Sequence, residues 1–257
     1  MRWIIFLFPV FLWAAYVGNP GNPAIMNTGF FSSRYLLKGT SGYIYDYTSN
    51  KRYRASQKNP EFDPNKTFKE FGIHSQQGSF SLILLERMEI FGAVGGSKEQ
   101  AKGKADSATS FDFESSYQFS WSAGSKVVLI QWGSTCLGCD FTYFAIPASS
   151  KSFFKYFDQF NIPIDFGKQP ISLKEWQISG GLSSRFAFLT PYVGCTYLHS
   201  RLHVAASEET GPIDYRNEVR WGYFYGLTLS MSGRFHLNFE RRVRNEFGYT
   251  FSTIAVF

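Results

Sequence analysis

An alternation of large apolar and small polar residues recurs along most of the chain and constrains its fold more than any other feature. The clearest run is 223–231, where one face is apolar and the other is small and polar. Its apolar face is Tyr223, Tyr225, Leu227, Leu229 and Met231, opposite Gly226, Thr228 and Ser230. A side-chain period of two belongs to β-strands. The chain is therefore predicted to be built from strands.

The composition of the polar face distinguishes a membrane barrel from a soluble sandwich. In runs such as 117–132, 173–187 and 234–243 this face holds Ser, Thr, Gly, Gln and Asn with few charges. A solvent-exposed surface usually carries more Lys and Glu. Small polar residues suit the inside of a barrel, and the many aromatics (28 Phe and 15 Tyr) suit its lipid-facing side. We predict an all-β fold, an antiparallel up-and-down transmembrane β-barrel.

About ten strands are predicted, although the pattern would also fit eight or twelve. The ten runs are 32–47, 78–85, 88–96, 117–132, 136–147, 173–187, 191–202, 217–231, 234–243 and 246–257. Short connections alternate with four long ones, at 48–77, 97–116, 148–172 and 203–216. Short turns on one side and long loops on the other are typical of outer-membrane barrels.

Both ends of the chain carry signals that agree with export. Residues 1–15 begin with Met1-Arg2, continue with an apolar stretch too short to span a membrane, and end in Ala14-Ala15. They are predicted to be a signal peptide, leaving 16–257 as one barrel domain. Phe257, the last residue of an alternating strand, is expected to be part of the signal read by the barrel insertion machinery. The predicted location is the bacterial outer membrane, with its lipid as a partner.

The net charge of +6 is spread along the chain without a run of Lys or Arg, so nucleic acid is not an expected partner. The positive balance instead indicates a lumen or loops that favour anions, or contact with anionic lipid. Alternation predicts a set of ionisable residues that line the pore. These are Lys126, Asp140, Arg185, Arg234, His236 and Glu240. They would set the ion preference of an open channel, or pair across a filled lumen and hold it shut.

The predicted number of strands does not decide between an open channel and a filled lumen. About eight strands give an interior filled by side chains, whereas 16–18 leave an aqueous channel. Ten strands lie nearer the closed end, so the sequence leaves a narrow channel and a plugged structural barrel as alternatives.

The cysteines and histidines indicate no cofactor, metal or catalytic site. Cys136 and Cys139 form a C-x-x-C without the second pair or the helix that zinc or redox chemistry needs. With Cys195 the count is odd, so these three are disulfide candidates, either for one internal bridge with a spare thiol or for bridges to other envelope proteins.

An outer-membrane hydrolase would need a site such as His199 or His203 with Glu208 or Glu209. A polar loop explains these residues better, so the protein is predicted not to be an enzyme.

Scattered stretches over roughly positions 17–200 resemble the chlamydial major outer membrane protein and its porin relatives. They include a strand with Trp-Ser-x-Gly-x-basic spacing and a mature N-terminus of the family type. The stretches are 17–20, 85–91, 119–126, Trp132 with 137–143, 175–185 and 190–194.

The resemblance implies a porin for small solutes or ions that also stabilises the envelope through disulfide cross-links, as a homo-oligomer or with other envelope proteins. This chain is shorter than typical members and has fewer cysteines. The alternative hypothesis is a non-conducting structural or adhesive barrel whose surface loops form the interaction site.

Overall fold

The fold is a single antiparallel sheet that closes on itself. The computed structural model describes residues 18–22, 37–56, 67–104, 110–149, 152–157, 163–168, 170–205, 212–231 and 234–257. The predicted signal peptide, 1–15, lies outside these residues. The strands are β1 (Leu37–Ala55), β2 (Thr67–Leu84), β3 (Met88–Lys104), β4 (Ser110–Ser115), β5 (Gln118–Trp132), β6 (Thr135–Ser149), β7 (Ser152–Phe157), β8 (Pro163–Lys168), β9 (Ile171–Ser184), β10 (Leu189–Val204), β11 (Ile213–Asn217), β12 (Trp221–Met231), β13 (Phe235–Val243) and β14 (Phe247–Val256).

Ten of these strands form the barrel wall, in the order β1-β2-β3-β5-β6-β9-β10-β12-β13-β14. The barrel closes where β1 pairs with β14 over ten residue pairs, from Thr40 opposite Val256 to Ser49 opposite Phe247. Closure satisfies the backbone hydrogen bonds of every wall strand, which a lipid environment requires. The prediction of an all-β barrel with ten strands is confirmed, and each of the ten predicted runs overlaps one wall strand.

The predicted long loops contain more strand than the sequence indicated. β1, β2 and β3 run 19, 18 and 17 residues, although 9–11 residues are enough to cross a membrane. By contrast, β12, β13 and β14 have 11, 9 and 10 residues. The four short strands β4, β7, β8 and β11 lie in the predicted loops as well. Beyond the outer ends of the shorter strands β12, β13 and β14, β11 pairs with both β10 and β1 and so closes the wall at that level.

The polarity of the two faces reverses along the long strands. At the lower level, exposed apolar side chains such as Ile178 and Val193 face outward. Buried residues that face inward at this level are polar, as Ser179 and its partner across the strands, Thr196, are. Near the upper ends of β9 and β10, buried Leu173 and Leu202 face inward, whereas Lys174 and Arg201 are exposed outside. We assign the lower level to the membrane and the upper level to a projection beyond it, with the short turns on the periplasmic side.

The reversal explains why alternation in the sequence failed to predict the upper parts of the strands. An apolar-out pattern identifies a lipid-facing strand, but the projecting part packs its apolar side chains inward, as soluble proteins do. In addition, β1 has a bulge between Thr48 and Tyr53, where Asn50 has a φ of 58°. The bulge changes which residues face inward, from even-numbered ones before it to odd-numbered ones after it. None of the described residues forms a helix long and apolar enough to cross a membrane.

Candidate functional site: the filled lumen

A network of buried charges crosses the middle of the lumen. It comprises Asp46, Lys51, Glu175, Glu240, Arg242 and Glu246, which we call the lumen ion network. Each of them is at most 4 % exposed. Charges buried this deeply are tolerated in proteins when they are paired and hydrogen-bonded.

Arg242, on β13, is the centre of the network. Its guanidinium group bonds both carboxylate oxygens of Asp46 on β1 and donates to Thr48 Oγ1 at 3.1 Å. Its Nε lies 2.7 Å from Glu246 Oε1, and its Nη1 lies 3.8 Å from Glu240 Oε1. The planar fork of arginine suits this kind of multiple carboxylate contact. Arg242 therefore ties β13 and the following turn to β1.

Lys51 extends the network to the opposite wall. Its Nζ donates to Glu175 Oε1 and Oε2, both at 2.8 Å, and lies 2.9 Å from Glu246 Oε2. Glu175 Oε1 also accepts from Tyr53 Oη at 3.1 Å and from Ser200 Oγ at 2.6 Å. The chain of contacts thus runs from β9 through Lys51 to Glu246, across the full width of the lumen.

An apolar cluster, the apolar cap, closes the lumen above this network. Its members come from β1, β2, β3, β6, β9, β10 and β11. They are Tyr53, Phe71, Ile73, Ala101, Phe144, Ile146, Ile171, Leu173, Leu202, Val204, Ile213 and Tyr215. These side chains pack across the lumen and are each at most 8 % exposed.

A short N-terminal segment, residues 18–22, occupies the lumen nearer the short turns; we call it the N-terminal plug. All five residues are buried. Gly18 N donates to Glu240 Oε2 at 3.1 Å, and Asn19 Nδ2 donates to Thr228 Oγ1 at 3.1 Å. These bonds attach the plug to β12 and β13.

On the opposite side, the plug lies directly against glycines of the wall. A Cβ atom on Gly138 would come within 2.3 Å of the Pro20 carbonyl oxygen, and one on Gly181 within 3.2 Å of Pro20 Cγ. A glycine at 138 is therefore required for the backbone of the plug to approach the wall so closely.

Four of the six predicted lumen residues lie in the lumen. Lys126 and Asp140 face inward from β5 and β6, where they are paired in register, and both are buried. His236 Nδ1 lies 3.0 Å from Ser230 Oγ, and Glu240 accepts from Tyr192 Oη at 3.3 Å as well as from the plug. They belong to the filling of the lumen, since none of them is exposed to more than 4 %.

Arg185 and Arg234 require a correction, since both lie in short turns. Arg185 follows the end of β9, and its Nε donates to the Ala187 carbonyl oxygen at 3.3 Å. Arg234 precedes β13 and is exposed. The alternation that assigned them to the lumen does not extend beyond the last residue of a strand, because a turn changes the direction of the side chains.

All three cysteines are free thiols in the structure. Cys136 faces the lumen, 3.0 Å from Ser183 Oγ, whereas Cys139 and Cys195 lie on the outer face. Because Cys136 and Cys139 are three residues apart on one strand, they point to opposite faces, and a bridge between them is excluded. Cys139 and Cys195 both flank Gly180, two strands apart. That separation, about 10 Å, is also too long for a disulfide.

The remaining candidate residues that the structure describes lie on the outside of the barrel. His199 stacks on Trp176 with ring centroids 5.4 Å apart, and His203 Nδ1 lies 2.8 Å from Asp214 Oδ1. Glu208 and Glu209 lie outside the described residues. Phe257 is 76 % exposed at the barrel seam, and its backbone pairs with Gly39. Within the described ranges, no three His, Cys, Asp or Glu side chains are arranged to hold a metal ion.

Comparison with solved structures returns other barrels at low identity. The translocator domain of the autotransporter NalP from Neisseria meningitidis is 8 % identical, with 88 % of this chain and 89 % of that chain covered and a TM-score of 0.44. The outer membrane protease OmpT from Escherichia coli is 12 % identical, with 86 % and 95 % covered and a TM-score of 0.41. The toluene transporter TbuX from Ralstonia pickettii is 7 % identical, with 91 % and 92 % covered and a TM-score of 0.33.

These similarities add no function to the barrel, which is defined by its own strand pairing and its outward apolar band. No family model matches the chain, and no curated protein matches it. The resemblance to the chlamydial porin family therefore stays a prediction. The fold and the lumen together define the class: a closed ten-stranded transmembrane β-barrel whose interior is occupied by side chains and by its own N-terminal segment.

Proposed function

We propose that this protein is a non-conducting outer-membrane barrel that acts as a structural or adhesive element of the envelope. One observation carries the proposal: the side chains that would line a pore are sealed from water. Asp46, Lys51 and Arg242 are each at most 1 % exposed, whereas the lining of an aqueous channel is in contact with water.

Three successive barriers support the proposal. Solutes entering from the short-turn side would meet the N-terminal plug, then the lumen ion network, and finally the apolar cap. Opening a path would break buried ion pairs and leave charges without partners, which is costly. A general-diffusion porin needs a lumen free of such barriers.

The projecting upper strands provide the surface through which the barrel would act. With an apolar core of their own, the upper parts of β1, β2, β3, β9 and β10 form a rigid platform beyond the membrane. Loops held on a rigid scaffold are common binding elements. The proposal includes no catalytic activity, since the paired His203 and Asp214 lie on the outer surface rather than in a cleft.

Planar-bilayer recording of the refolded chain tests the proposal. We expect no discrete conductance steps in membranes where insertion has been verified by heat-modifiable gel mobility. Discrete steps would overturn the proposal and favour the porin hypothesis. In that case the reversal potential in a salt gradient, compared between the wild type and Lys126→Glu, would show whether the lumen charge sets the ion preference.

A further inference from the structure

Four cations stand in one line across the outer face of four neighbouring strands. The strand registers place Lys174 of β9 opposite Arg201 of β10, Arg201 opposite Arg216 of β11, and Arg216 opposite Arg54 of β1. All four side chains are exposed. We call this set the cation row. At a strand spacing of about 4.8 Å, it is roughly 14 Å long.

Most of the cation row has no carboxylate partner among the described residues. Like charges directly opposite each other on a sheet are destabilising. Only Arg54 has a carboxylate partner among the described residues, Glu218, at 3.4 Å. Within that part of the chain, Lys174, Arg201 and Arg216 have no carboxylate within ion-pair distance. Within the described ranges, three of the four cations of the row are therefore free to bind an anionic group of another molecule.

The position of the row relative to the membrane indicates what that partner is. Directly below it lies a band of aromatic side chains on the same outer face. Trp176 packs against Tyr197 with ring centroids 5.6 Å apart, and Tyr197 packs against Trp221 at 5.2 Å. Trp and Tyr on the outside of a barrel mark the boundary between lipid tails and headgroups. The cation row is thus at the level of the headgroups of the outer leaflet.

Further cationic contacts connect the row to the aromatic band. Arg220 Nη1 donates to Tyr197 Oη at 3.0 Å, which holds a fifth cation beside the row. The positive charges of Arg220, Arg216 and Arg201 all act on His199, which is stacked on Trp176. Five cations therefore lie together on the outer face of β9, β10, β11 and β1 and the segment that follows β11.

We propose that the cation row is a binding site for phosphorylated lipid headgroups of the outer leaflet. Guanidinium groups bind phosphate oxygens through paired hydrogen bonds, and the row is long enough to engage phosphates at both ends of one large headgroup. The aromatic band below receives the upper parts of the acyl chains. This site is on the outside of the wall and does not depend on whether the lumen conducts.

Native mass spectrometry of the refolded full chain with bisphosphorylated lipid A measures the binding. Arg201→Gln/Arg216→Gln is expected to weaken retention of the lipid by roughly 25-fold, about fivefold for each guanidinium removed. The matched control, Arg87→Gln/Arg234→Gln, makes the same charge change in two exposed turns at the opposite end and is expected to retain the lipid as the wild type does. Lipid A stripped of its phosphates is expected to bind the wild type no better than it binds the double variant.

Three outcomes would overturn the proposal. They are equal loss in the two double variants, unchanged retention in Arg201→Gln/Arg216→Gln, and displacement of the lipid by excess inorganic phosphate, which would indicate a site for a free anion. Lipid-dependent stability is a second measurement, which would not change if the cations were only incidental surface charges. Bisphosphorylated lipid A in the vesicles is expected to raise the urea midpoint of the wild type but not of the double variant, and each single variant serves if the double variant fails to fold.

Discussion

Arg242→Met is expected to lower the free energy of unfolding by about 3–5 kcal/mol. The substitution removes the guanidinium group that bonds both carboxylate oxygens of Asp46 and, among the described residues, one of the two cations that contact Glu246, and both carboxylates stay buried. A buried charge without a partner costs far more than the pair itself contributes, because it has lost its hydration without compensation. The midpoint of urea unfolding in lipid vesicles, followed by tryptophan fluorescence, measures the change.

Arg241→Met is the matched control for this experiment. Arg241 is the residue before Arg242 on β13, faces outward, and lies 5.1 Å above the Tyr249 ring. Losing an exposed contact of this kind is expected to cost no more than about 1 kcal/mol. Adding Asp46→Asn to Arg242→Met should recover part of the lost stability, since it removes the buried charge that has lost its guanidinium, whereas Glu246 still contacts Lys51. Equal effects of the Arg242 and Arg241 substitutions would contradict the lumen ion network as described.

Gly138→Val is expected to displace the N-terminal plug and to expose Cys136 to soluble reagents. The new side chain would occupy the position of the Pro20 carbonyl group, and a backbone atom of another segment cannot yield as a flexible side chain does. The plug covers Cys136, because a Cβ on Gly21 would lie only 2.4 Å from Cys136 Sγ. In a chain carrying Cys139→Ala and Cys195→Ala, a membrane-impermeant maleimide should label Cys136 about 100-fold faster, as expected for roughly 3 kcal/mol of lost local protection.

Gly180→Val controls for the effect of replacing a wall glycine. Gly180 is on β9 beside Gly138, but it faces outward, and the nearest atom to a new Cβ is 4.0 Å away. Labelling of Cys136 should therefore stay as slow as in the parent chain. If both variants label at the same rate, the plug is not what protects the thiol. Conductance of Gly138→Val is expected to remain silent, because the ion network and the apolar cap still close the lumen.

Part of the lumen ion network could have been predicted from the sequence. Arg242 continues the inward series of His236, Asn238 and Glu240 on β13 by one step, and Glu175 continues the series of Gln177 and Ser179 on β9. Both have the parity of residues that alternation correctly placed inside. Lys51 could not have been predicted from alternation, because the bulge before it changes which residues of β1 face inward. Glu246 could not have been predicted either, because it lies in a turn, where side chains no longer alternate between the two faces.

The sequence by itself determined the wall of the barrel in the membrane. Lipid outside and polar packing inside impose opposite requirements on successive residues, so a local pattern of period two records them directly. The tertiary structure alone decided that the lumen is filled, because this depends on residues far apart in sequence. Arg242 meets Asp46 196 positions away, and Gly18 meets Glu240 222 positions away. No local sequence pattern predicts such contacts, since they form only when closure of the sheet brings opposite walls of the barrel close together.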